Sequence, residues 1–142
     1  MAKLKALFIC GHNSARSQMA EAFLNDLAGD KIHAESAGLE PQPVNPLVVE
    51  VMAEIGHDLS RVKSDSIFDF FKQGRLYDYV ITLCDETVGK QCPVFPGITR
   101  RLHWPFDDPD QLLGTSDEKL AALRRIRDQI RDKIRAWIET VA

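Results

Sequence analysis

Residues 6–10, Ala6-Leu7-Phe8-Ile9-Cys10, form an unbroken apolar run, and the small or polar residues Gly11, His12, Asn13, Ser14 and Ala15 follow it at once. A strand with one wet face alternates; a run without polar positions is covered on both faces, as in a parallel sheet. The next stretch, "SARSQMAEAFLNDLAG", has helical spacing, with Ala15, Met19, Ala22, Phe23, Leu24 and Leu27 on one face and Gly29 as the stop.

The alternation continues. "KIHAESAG" suits a second strand, and "NPLVVEVMAEIG" a second helix with Asn45 as N-cap, Pro46 in the first turn and Gly56 as its end. "DSIFDFFKQG" predicts a shorter helix, "YDYVITLC" a third strand ending on Cys84, and "ITRRLHW" a short fourth strand. From Asp117 onward Leu123, Ile126, Ile130, Ile134, Trp137 and Val141 mark one face of a long helix. Arg124, Arg125, Arg127, Arg131 and Arg135 read as its solvated face. Strand–helix alternation of this kind implies an α/β fold, and one domain is expected over residues 1–142.

A net charge of −3 argues against a nucleic-acid or anionic-membrane surface, and no stretch approaches a membrane span. The expected location is cytoplasmic, where thiols stay reduced. Three cysteines, Cys10, Cys84 and Cys92, cannot all pair, so they are either buried small hydrophobes or chemistry. The four histidines have no partners at ligand spacing, so no transition-metal site is expected among them.

In open parallel sheets, ligands sit beyond the carboxyl ends of the strands. Cys10, Cys84 and "FDDPD" each follow an expected strand, so they should gather at one edge. A strand-to-helix loop offers backbone N–H groups and the positive end of a helix dipole, and Arg16 adds a permanently charged planar fork. Gly11, His12, Asn13, Ser14, Ala15, Arg16 and Ser17 are therefore the candidate oxyanion-binding residues. The same field favours the thiolate of Cys10, so one loop both binds an anion and arms a nucleophile. An acid that protonates a leaving oxygen is expected nearby, and Asp107, Asp108 and Asp110 are the candidates. Pro109 holds the residue before it extended, which aims Asp108.

"CGHNSARSQMAEAF" resembles the active-site signature of the low-molecular-weight phosphatase superfamily, and its wording past the loop is similar to the thioredoxin-coupled arsenate reductases. "ESAG", "VITLCDE", "CPVFPG" and "HWPFDDP" follow in the family's order, so the resemblance spans essentially the whole chain. It implies a three-layer sandwich, a four-stranded parallel sheet flanked by helices on both faces. It also implies Cys10 as nucleophile, Arg16 as anion ligand and Asp108 as acid.

For the arsenate reductases it implies a relay: Cys10 attacks arsenate, Cys84 attacks Cys10 and releases arsenite, and Cys92 attacks Cys84. The resulting redox-active disulfide is then reduced by thioredoxin. In one straight helix, Cys84 and Cys92 would stand about 12 Å apart, and a disulfide needs less than about 7 Å between Cα atoms. The segment must therefore bend, and Gly89 and Pro93 make bending cheap. Their spacing is C-x7-C, one residue longer than in the Gram-positive members.

Asp110 and Gln111 stand where phosphatases of the family carry aromatics after "DP", which favours a small inorganic oxyanion: arsenate, with phosphate or sulfate as competitors. No organic cofactor is expected. A potassium ion is implied at residues matching Asn13, Glu21, Ser36 and Asp65, although Asn13 also suits a brace for the loop. The alternatives are a phosphatase using Cys10, Arg16 and Asp108, and a non-catalytic oxyanion-binding or redox-sensing module.

Overall fold

The computed structural model describes residues 3–83, Phe95, Gly97 and 99–141. Four strands, β1 (Leu4–Cys10), β2 (Ile32–Gly38), β3 (Tyr79–Thr82) and β4 (Arg100–His103), form one sheet in the order β2-β1-β3-β4, with every neighbouring pair parallel. The helices are α1 (Arg16–Ala28), α2 (Pro46–Ala53), α3 (Ile67–Lys72) and α4 (Ser116–Val141), with a short 3-10 turn at Pro109–Gln111.

The two-sided burial expected of β1 is explained by its alternation. Ala6 and Phe8 face the larger core with α1, α2 and α4, and Leu7 and Ile9 face the smaller one with Ile67, Phe70, Tyr77 and Phe95. The helices thus cover both faces, giving the expected three-layer α/β sandwich. Asn45 caps α2, its Oδ1 accepting from the Leu47 N–H at 2.9 Å, and Pro46 follows at the first helical position. Ser66 caps α3 in the same way, so that helix starts at Ile67, two residues into the expected stretch from Asp65. No described helix is long and apolar enough to cross a membrane.

Two expectations are corrected. Leu27 is 38% exposed, because α1 packs through Met19, Ala20, Phe23, Leu24 and Ala28 and its last turn carries Leu27 off that stripe. Arg127 does not belong to a solvated face. It is buried, and its Nη1 donates to the Val51 carbonyl at 2.9 Å and to Glu54 at 3.0 Å. Glu50, Met52 and Ala53 carbonyls accept from the backbone N–H groups that follow α2, and the cation from α4 meets the Val51 carbonyl in that last turn. Cys84, Cys92 and the bend expected at Gly89 and Pro93 lie outside the described residues.

Candidate active site

The register sets the site's floor. Cys10 ends β1 opposite Gly38 of β2, and Thr82 of β3 lies opposite Ile9 on the other side, so the carboxyl ends of the strands finish together. Residues 11–15 then climb from β1 to α1. The first turn of α1 has no side-chain cap, since Ala15 stands at the N-cap, and it carries no acidic residue. Its leading N–H groups and its dipole are left to the loop.

The loop's carbonyls are turned outward and held. Gly11 O accepts from Glu40 N, His12 O from Gln42 N and Ser14 O from Asn45 N, each at 2.9 Å. Asn13 O accepts from Ser64 Oγ at 2.9 Å and Gln18 Nε2 at 3.2 Å. In a planar trans peptide the following N–H points opposite its carbonyl, so the N–H groups of His12, Asn13, Ser14 and Ala15 point away from those partners. Consecutive N–H groups turned one way make an anion-binding concavity.

Asn13 makes the curl possible. Its φ is 52°, the left-handed region that Asn tolerates better than most residues. Its Oδ1 accepts from the Asp65 N–H at 2.8 Å and Gln18 Nε2 at 3.1 Å, and its Nδ2 donates to Ser17 Oγ at 2.8 Å. With one proton supplied by Asn13, the Ser17 hydroxyl is free to donate its own to Cys10 Sγ, 2.9 Å away. Both Cys10 and Ser17 are buried. The sulfur therefore faces a hydroxyl donor at the positive end of a helix. The Asn13 side chain thus ties the loop to Ser17, Gln18 and the Asp65 backbone, and Ser17 touches the sulfur itself. His12 is exposed, and its ring is turned aside, Nδ1 donating to the Glu40 carbonyl at 3.1 Å.

Arg16 sits where β3 and β4 end. Its Nη1 donates to Phe106 O at 2.9 Å and to Leu83 O at 3.4 Å, and Nη2 stands 3.8 Å from Asp108 Oδ1. The geometry singles out Asp108 from its neighbour, because it is half-buried against the guanidinium while Asp107 is exposed. Leu83 is fully buried, so the backbone leading to Cys84 is anchored on the same side chain that closes the loop.

Behind the loop, Ser36 Oγ donates to Glu21 Oε1 at 3.3 Å. Burial pushes the Glu21 carboxyl up to about 7, the Ser36 hydrogen bond opposing and the Asp65 and Glu35 charges adding to the shift. The Asp65 carboxyl is also raised, chiefly by burial. Two such carboxyl groups in mutual repulsion suit a cation. Among the described residues no three His, Cys, Asp or Glu side chains converge.

Three contributors escape a reading of the sequence. Gln18 and Ser64 hold Asn13 from outside the loop, and only the fold brings Ser64 there. Gly38 is the third: a Cβ there would lie 2.6 Å from Asn13 N and 2.8 Å from His12 C, so the loop rests directly on β2. Its place at the end of "ESAG", level with Cys10, is the one sequence signal for it.

A family model for low molecular weight phosphotyrosine protein phosphatases matches residues 5–142. The chain belongs to that family. Within it the relatives are arsenate reductases: the enzyme of Halalkalibacterium halodurans is 43% identical over 140 residues, 99% of either chain. An arsenate reductase solved in its phosphate binding state has a TM-score of 0.76 and 33% identity, covering 98% of this chain and 99% of that one. The thioredoxin-dependent arsenate reductase of Corynebacterium glutamicum has a TM-score of 0.72 and 30% identity, over 99% of this chain and 62% of that one.

Proposed function

We propose that this family member is a cytoplasmic arsenate reductase that works through Cys10, Cys84 and Cys92 and is regenerated by thioredoxin. The observation that carries the proposal is the Cys10–Ser17 contact at 2.9 Å inside a loop whose carbonyls are all tied outward. A nucleophilic sulfur lies on the floor of an anion nest, with Arg16 and Asp108 at its mouth. The arsenate reductases among its relatives and the thioredoxin-dependent neighbour support the choice of substrate and reductant.

The tetrahedral oxyanion sits against the N–H groups of residues 11–17, with the Arg16 fork exchanging its carbonyl contacts for the anion. Cys10 thiolate attacks arsenic, and Asp108 gives its proton to the departing oxygen, which leaves as water. Cys84 thiolate then attacks the Cys10 sulfur. The S–As bond breaks, and its electron pair stays on arsenic, giving arsenite and a Cys10–Cys84 disulfide. Cys92 thiolate displaces Cys10 from Cys84, and the dithiol of thioredoxin reduces the Cys84–Cys92 disulfide that results. Two thiols are oxidised and arsenic gains two electrons, so the sequence balances.

Potassium is part of the proposal. Asn13, Glu21, Ser36 and Asp65 are the residues that would hold it. When bound, it supplies positive charge that neutralises the buried carboxyls and stiffens the loop from behind.

Counting thiols tests the relay. Fully reduced protein titrates three under denaturing conditions, matching the three cysteines of the chain. After one equivalent of arsenate without reductant it should titrate one, with Cys84 and Cys92 joined on mass mapping. Three thiols remaining would overturn the relay. Phosphate-ester hydrolysis by Cys10, Arg16 and Asp108 is the second reading, favoured by the Arg16–Asp108 contact, since hydrolysis needs nothing more than that trio.

A further inference from the structure

We propose that the pocket between the end of β4 and the last turns of α4 binds a small aromatic carboxylate. Trp104, Lys133, Ala136, Trp137 and Thr140 enclose a cavity of about 180 Å³. That is room for one ring with a short polar arm, below the roughly 300–1,000 Å³ of a drug-sized site. The four helical residues are spaced i, i+3, i+4 and i+7, so they form one stripe of α4. Trp104 follows β4 directly, and its ring stands 5.5 Å from that of Trp137 at 73°. Both walls are backed by other rings, Trp104 by Phe8 at 6.2 Å and Trp137 by Tyr79 at 5.0 Å. The slot is therefore preformed, and the anion loop contributes none of its five residues.

Lys133 sets the charge of the ligand. Arg124, Arg127 and Arg131 of the same helix each pair with a carboxylate. Lys133, among the described residues, pairs with none, and its ammonium stands 5.5 Å from the centroid of the Trp104 ring. The Thr140 hydroxyl gives its hydrogen to the Trp137 carbonyl at 2.7 Å, so Lys133 is the charged donor of the pocket. A flat ring stacks on indole while its carboxylate meets the ammonium in a charge-assisted hydrogen bond. A neutral ring gains the stacking alone, and a cationic one meets like charge. A carboxylate without a ring gains only a solvent-exposed ion pair, which is worth little. Ring and anion together are what this pocket selects.

The chain has two tryptophans and both line the pocket, so their indole N–H resonances report on it. The full reduced chain, in excess inorganic phosphate to keep carboxylates off the anion loop, is titrated with benzoate, benzamide and benzamidine. These are rings of one shape and different charge. Benzoate should shift both indole signals saturably, benzamide should bind about tenfold more weakly, and benzamidine should leave the signals in place. Lys133→Gln should lower benzoate to the affinity of benzamide, and Lys133→Arg should restore the preference. Equal binding of benzoate and benzamide, or a preference for benzoate that survives Lys133→Gln, would overturn the proposal. So would acetate shifting the signals as strongly as benzoate, or indole signals that ignore every compound.

Discussion

Ser17 Oγ lies 2.9 Å from Cys10 Sγ, and the carboxamide of Asn13 supplies the hydrogen that frees the serine's own proton for the sulfur. The nucleophile is thus held by a two-step relay that begins at a residue in the left-handed conformation. Ser17→Ala removes the hydroxyl that faces the nucleophilic sulfur, a hydrogen bond worth roughly 0.5–1.5 kcal/mol, or about a two- to tenfold effect on the reactivity of Cys10. Iodoacetamide alkylation of Cys10 at pH 6, followed by mass mapping, should slow by about that factor, while anion affinity falls far less. Unchanged alkylation would remove Ser17 from the activation of Cys10.

Gly38→Ala would place a methyl group 2.6 Å from Asn13 N and 2.8 Å from His12 C, against backbone that cannot rotate aside. Overpacking of this kind costs about 1–3 kcal/mol. Because the displaced atoms belong to the anion nest, phosphate binding by calorimetry should weaken more than global stability falls. Equal phosphate affinity in the variant would mean that the loop moves freely off β2.

Glu21 gives a pH signature. Its carboxyl is raised from 4.5 to about 7 in the fold, so between those values the native state binds more protons than the unfolded chain. Stability in potassium-free choline buffer should be highest below pH 4.5 as far as this group contributes, and fall as pH rises toward 7. Glu21→Gln should flatten that slope in urea unfolding followed from pH 5 to 8. A slope unchanged by the substitution would assign the pH dependence to other groups.

Arg127→Ala leaves the Val51 carbonyl without its partner, while Glu54 keeps Arg124. A loss of about 1–3 kcal/mol from the orphaned carbonyl is expected in chemical unfolding, with arsenate turnover per folded molecule unaltered. A loss within 0.5 kcal/mol, about the size of an ordinary surface change, would return Arg127 to the solvated face.

Much of this was legible because strand order and the loop are written locally. The apolar run ending at Cys10, the caps at Asn45 and Pro46, and the small residues before Arg16 each carry their meaning within a few positions. Arg127 was misread because helical periodicity shows which residues leave the stripe but not which carbonyls wait across from them. Gly38 and Ser64 depend on parallel register and on chain returning from residues 63–65, and no local pattern encodes either. Gln18 holds Asn13 through an amide network that only the fold assembles.

The central claim, that this anion loop serves reduction rather than hydrolysis, is tested most directly by arsenate-dependent NADPH oxidation with thioredoxin and thioredoxin reductase. Consumption should depend on arsenate, release one arsenite per NADPH, and disappear in Cys84→Ser while p-nitrophenyl phosphate hydrolysis persists. Hydrolysis of the phosphate ester with no arsenate-dependent consumption by the wild type would contradict it.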